Sequence, residues 1–101
     1  MLTTGARLRS QVCATEVVVV RANNADAVLH CGGHPMIDLT ADPARGYALD
    51  AGFAAGSVLG KRYTDEDTTT EVLVTHDGAG SLALDGKALT LKTPKPLPSS
   101  D

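Results

Sequence analysis

Four consecutive valines, Val17 to Val20, constrain this 101-residue chain more than any other feature of it. Branching at Cβ restricts χ1 and suits a pleated backbone, so Val12 to Arg21, VCATEVVVVR, is predicted as a strand. Side chains alternate between faces along a strand, so an unbroken apolar run implies cover on both faces, from the same chain or from a second subunit. Asn23 and Asn24 tolerate left-handed backbone and mark a turn, after which Ala27 to His30 return as a short strand. In Cys31-Gly32-Gly33-His34-Pro35, two glycines and a proline oppose further pairing. The first third of the chain therefore reads as a hairpin closed by a Gly-rich knuckle.

A similar pattern recurs. Thr15-Glu16-Val17-Val18-Val19 reappears as Thr70-Glu71-Val72-Leu73-Val74, an offset of 55. Each copy continues into a polar turn, a short apolar strand and an X-Gly corner, Cys31-Gly32 in one and Asp85-Gly86 in the other. Asp-Gly between short apolar runs is a two-residue hairpin signal, with Ser81 to Leu84 and Ala88 to Lys92 as its arms. Between the copies, Asp42-Pro43 is a possible helix start, but glycines at 46, 52, 56 and 60 oppose anything longer than one or two turns. Asp65-Glu66-Asp67 reads as a solvated acidic turn. Thr93 to Asp101, with three prolines in five residues, reads as an extended tail. The expectation is one all-β domain: a small antiparallel β protein of two related hairpin units with an irregular linker. Residues 10–39 form the first unit, 40–67 the linker, 68–92 the second unit and 93–101 the tail.

Composition narrows the class of protein. A net charge of −3 gives no basic face for nucleic acid, so no nucleic-acid partner is expected. No apolar run approaches the roughly 20 residues of a membrane helix, and no apolar stretch follows Arg7 and Arg9, so neither membrane nor secretory signal is expected. A cytoplasmic location follows as the expectation. With only Tyr47, Phe53 and Tyr63 as aromatics, the core must be built of Val, Leu and Ala. A domain of this size is only modestly stable alone, which together with the valine run points to a homo-oligomer or a stabilising metal.

The chemistry-bearing residues cluster early. Cys13 and Cys31 are the only cysteines, and Cys31-x-x-His34 has metal-ligand spacing on a tight turn. Gly32 and Gly33 free backbone N–H groups to approach the sulfur. His30 adds an imidazole, so Cys13, His30, Cys31 and His34 form a candidate two-sulfur, two-nitrogen set for Zn or Fe. His76 reads as a polar turn residue. Asp77-Gly78-Ala79-Gly80 lacks the Lys and Ser/Thr of a phosphate loop, and no Ser-His-Asp or Gly-x-Ser-x-Gly arrangement is present.

The stretch from Cys13-Ala14-Thr15-Glu16-Val17-Val18-Val19 through Val28-Leu29-His30-Cys31-Gly32-Gly33-His34-Pro35-Met36 resembles the desulforedoxin family, whose fold also forms the N-terminal domain of desulfoferrodoxin. The resemblance covers Ser10 to about Leu39, and Cys31-Gly32-x-x-Pro35-Met36 is its most specific element, one residue longer than the family's. It implies a rubredoxin-like metal hairpin and a dimeric arrangement of such units. Two of the four family cysteines are replaced, by Ser10 and His30, so the four-thiolate iron centre does not carry over unchanged.

Three readings of function stand at this point. The first is a small metal-binding protein holding Zn or mononuclear Fe through mixed Cys and His ligands. The second is a metal-free accessory or interaction module docking on a larger enzyme through strand surfaces or the Pro-rich tail. The third is a small Cys/His enzyme or thiol redox switch, including a Cys13–Cys31 disulfide. Cysteine is also among the most buried residue types, so both thiols read equally well as small core residues.

Overall fold

The valine run becomes the centre of a sheet, but only one of its faces is covered by this chain. The computed structural model describes residues 2–23, 26–43, 46–65 and 70–92; the Pro-rich tail, Asn24, Glu66 and Asp67 lie outside the described residues. Ten short strands run in chain order: β1 (Arg7–Arg9), β2 (Glu16–Ala22), β3 (Leu29–Cys31), β4 (His34–Pro35) and β5 (Ile37–Asp38), then β6 (Arg62–Thr64), β7 (Thr70–His76), β8 (Leu82–Leu84), β9 (Lys87–Ala88) and β10 (Thr90–Leu91). All pair antiparallel, in a six-stranded sheet of order β10-β6-β7-β2-β1-β5 and a four-stranded sheet of order β4-β3-β8-β9. The protein is all-β, as the sequence predicts.

Strand partners differ from the expected hairpins. β2 does not pair with β3; it passes into the other sheet, and so does β7 on the way to β8. The central ladders instead join the two halves of the chain. Val17 faces Val74, Val18 faces Leu73 and Val19 faces Val72, while Leu29 faces Leu84 and Cys31 faces Leu82. Each strand of the first half has a counterpart of like position in the second, β1 to β6, β2 to β7, β3 to β8, β4 to β9 and β5 to β10. In each sheet the order of strands reads the same from the first half as from the second.

Alternation sorts the valines. Val17 and Val19, with Val72 and Val74, are at most 1% exposed and meet Leu29, Cys31, Leu82 and Leu84 from the smaller sheet in one core cluster. Met36 and Leu89 close its two ends in equivalent places, each just after a two-residue strand. Val18 is half-buried and Val20 exposed on the opposite face, so the cover expected on both sides of β2 is present on one.

The knuckle is a turn rather than a break in pairing. Gly32 and Gly33 both have positive φ, 66° and 89°, which suits a two-residue hairpin connection and lets Cys31 face His34. Pro35 fits because β4 is an edge strand. Asp85 and Gly86 make the matching turn between β8 and β9, with φ of 49° and 84°, at the place the Asp-Gly signal marks.

The stretch expected to be irregular contains a strand, β6, and a single 3-10 turn, Ala51–Phe53, capped by the Asp50 carboxylate accepting from the Gly52 N–H at 2.9 Å. Residues 47–57 run as a strap over the knuckle. The Asp50 N–H donates to the Gly32 carbonyl at 2.9 Å, the Ser81 N–H to the Phe53 carbonyl at 2.7 Å, and the Ser57 N–H to the Gly78 carbonyl at 3.0 Å. Against the outer side of the larger sheet, Glu71 is nearly fully buried between Arg62 at 3.1 Å and Lys92 at 2.8 Å.

Two stability predictions follow from this packing. A Cβ at Gly33 would stand 2.5 Å from the Asp50 Cβ at a positive φ, so Gly33→Ala should destabilise the fold by roughly 2–4 kcal/mol in denaturant titration. The Lys92 hydrogen bond is the largest influence on Glu71 and, with the Arg62 contact, holds its carboxyl below the usual range against the penalty of burial. A lowered folded-state pKa adds stability above the unfolded value, about 4.3 for Glu, and that stability is lost as pH falls through the folded value. Glu71→Gln should therefore lower the unfolding midpoint at pH 7, and the gap from wild type should close on acidification below about pH 4.3.

Candidate functional site

Cys13 sits not on a strand but on a tight turn between β1 and β2. Ser10, only 2% exposed, makes that turn: its Oγ accepts from the N–H groups of Val12 and Cys13, both at 3.1 Å, while its own N–H donates to the Thr15 carbonyl at 2.9 Å. A serine hydroxyl thus replaces ladder partners, which is why β2 starts at Glu16 although the apolar run begins earlier. Cys31 ends β3 with its side chain in the core, 0% exposed. The two sulfurs come within 3.8 Å of each other across the sheets.

Polar groups gather on the Cys13 side of this pair. Its Sγ lies 3.2 Å from Ser10 Oγ and 3.3 Å from Thr15 Oγ1. Thr15, fully buried, is in turn 2.6 Å from Ser57 Oγ on the strap. A hydroxyl can donate or accept, so the chain can point its hydrogens either way. When Cys13 ionises, Ser57 donates to Thr15, and Thr15 and Ser10 donate to the sulfur.

The two thiols are driven apart in acidity. Partial burial opposes ionisation of Cys13, but the Ser10 and Thr15 hydroxyls, with backbone donors at Thr15 and Gly80, outweigh it and bring the thiol down to about 7. Burial pushes the Cys31 thiol up to about 12, and a negative Cys13 beside it adds repulsion. Near neutral pH Cys13 is therefore the thiol that ionises, while Cys31 stays protonated.

Of the four side chains singled out as metal ligands, the fold brings two together. His30 lies between Leu29 and Cys31 on β3 and alternates onto the other face, its Nδ1 3.2 Å from the Val28 carbonyl. His34 places Nε2 2.8 Å from the Ala48 carbonyl and stacks on Tyr47 with ring centroids 4.5 Å apart. Among the described residues, no group of three or more His, Cys, Asp or Glu side chains converges as a metal would require. Here the two sulfurs stand together and the two imidazoles are bonded elsewhere.

Sequence reading missed the contribution of Asp77-Gly78-Ala79-Gly80. Asp77 and Ala79 face solvent, while Gly78 and Gly80 form a wall of the site. A Cβ at Gly78 would collide with the Thr15 backbone nitrogen, and one at Gly80 would lie 2.9 Å from Cys31 Sγ. Close glycine spacing beside the end of a strand was the available signal, since it marks backbone packed against something that admits no side chain. Thr15 and Ser57 carried no such signal, whereas Ser10 stands where the resembled family has its first cysteine.

No protein-family model, no curated protein and no solved structure matches this chain. Among the described residues, no helix is long and apolar enough to cross a membrane.

Alkylation should separate the two thiols. With iodoacetamide and intact-mass readout, one label per folded chain should add at Cys13 with a midpoint near pH 7, and Cys31 should label only after unfolding. Ser10→Ala should move the Cys13 midpoint up by about one pH unit, the scale of a lost hydrogen bond to a charged group.

Proposed function

We propose that this protein acts through reversible oxidation of Cys13 and Cys31, as a small thiol redox switch or redox carrier. The sulfur–sulfur distance of 3.8 Å carries the reading. Closing it to the roughly 2.05 Å of a disulfide needs side-chain rotation and a small shift of the turn holding Cys13. The unequal thiols support it: the accessible sulfur is the ionised, nucleophilic one, and the buried sulfur is in reach to complete the bridge. The strap, the Ser10 turn and the Gly78–Gly80 wall then serve to hold two sulfurs in contact.

A metal-binding role for Cys13, His30, Cys31 and His34, with Zn or Fe, is the second reading. One observation favours it: two thiolates bound at about 2.3 Å in a tetrahedral Zn site stand about 3.8 Å apart, the spacing seen here. It requires His30 and His34 to leave the Val28 and Ala48 carbonyls, and His34 to leave Tyr47. The equivalent of Cys31 in the second half, the last residue of β8, is Leu84. That supports a duplicated scaffold in which one half keeps the packing without the thiols, and the match of strand order between halves supports it further.

The test is the redox state itself. Mild oxidation should remove both free thiols from a monomeric chain, as read by thiol count and intact mass. A bridge between positions 18 apart should raise unfolding stability by about 3 kcal/mol over the reduced protein. Two thiols that persist under oxidation in a folded protein carrying about one Zn or Fe per chain by elemental analysis would establish the metal reading instead.

A further inference from the structure

We infer that the oxidant this thiol pair meets is a small hydroperoxide, which enters at Cys13 and leaves Cys31 to complete the disulfide. The inference rests on the thiol-pair reading and adds the class of substrate and the order of events. Cys31 is 0% exposed, so a reagent from solvent reaches only the half-buried Cys13. Around that sulfur stand Ser10 Oγ at 3.2 Å, Thr15 Oγ1 at 3.3 Å and the second sulfur at 3.8 Å.

The shape of this cup selects for a small partner. A disulfide reagent must bring three sulfurs into line, with a substituent on each side of the bond attacked. The groups beside the Cys13 sulfur are themselves buried, with Ser10 2%, Thr15 0% and Cys31 0% exposed, so a reagent approaches this half-buried sulfur only from its remaining side. A small hydroperoxide meets the sulfur through a single oxygen and needs only that opening, while the Ser10 and Thr15 hydroxyls stay on the thiolate.

The steps balance. The Cys13 thiolate attacks one peroxide oxygen, forming S–O as O–O breaks, and the departing hydroxide takes a proton to become water. The Cys31 sulfur then attacks Cys13 Sγ, forming S–S as S–O breaks; the second hydroxide leaves with the Cys31 proton as water. Two electrons pass from the sulfurs to the peroxide. An external thiol reductant returns the pair by exchange, itself becoming a disulfide.

The deciding experiment exposes fully reduced protein to hydrogen peroxide and, separately, to oxidised glutathione at equal concentration, following thiol loss and intact mass. Peroxide should close the bridge at least about tenfold faster, a margin typical of access and leaving-group control. Cys31→Ser with peroxide should accumulate a dimedone-reactive sulfenic acid on Cys13, and Cys13→Ser should leave Cys31 unreacted. Oxidised glutathione acting as fast, with Cys31→Ser collecting a glutathione mixed disulfide and no sulfenic acid, would overturn the peroxide assignment while leaving the thiol pair standing. If neither reagent joins the two cysteines, both readings fall together. Should Cys31→Ser not fold, the wild-type comparison of the two oxidants decides alone.

Discussion

The pairing of β2 with β7 is the contact on which the rest of the molecule depends. Val17 to Val74 and Val19 to Val72 lay four β-branched side chains on one face, nearly free of solvent. Burying a valine contributes about 1.5–3 kcal/mol, so these four residues are a large share of what a domain this small can gain. The smaller sheet exists to cover that face. Its leucines and Cys31 are useful only where the valines already stand, and the strap and the glycine wall rest in turn on the smaller sheet.

Polar chemistry is set into this apolar frame at one point. The turn at Ser10 interrupts the ladder just before the valines begin, and its hydroxyl both fixes the turn and faces Cys13. A thiol carried half into a core ordinarily loses acidity; here several donors aimed at one sulfur reverse the result, while its neighbour, further in and beside fewer donors, follows burial. The contrast between two cysteines 3.8 Å apart comes from which side of the sheet boundary each sulfur occupies.

The all-β class, the Asp85-Gly86 turn and the strand character of the valines were legible in the sequence, because Cβ branching and Asp-Gly turn chemistry act locally. Which strands pair was not. Val17 to Val20 are apolar at every position, so alternation gives no sign of which face is buried, and Val20 proved exposed. β6 escaped notice because Arg62 and Thr64 are polar and Tyr63 is its one apolar residue. At the site, the two cysteines were legible as a pair; the histidines near them in sequence stand apart from them in the fold, since strand alternation turns His30 away and Ala48 and Tyr47 engage His34. Ser10, Thr15 and Ser57 are common residue types, and only the fold converges them.

The central ladders have a kinetic side. Val18 must find Leu73, and Leu29 must find Leu84, before either sheet has a middle. Each half supplies only flanking strands to its own central strand, so the middle ladder of each sheet forms between the halves. Loop-closure entropy is then met before the reward of pairing arrives, which places this chain among the slower folders for its length. On the ribosome, the first half waits, valines uncovered, until β7 and β8 emerge. During that interval the edge of the Val17–Val20 strand that β7 will take is open to another chain, and Glu16 and Arg21 on either side of the run are the polar residues nearest to interrupt such contact.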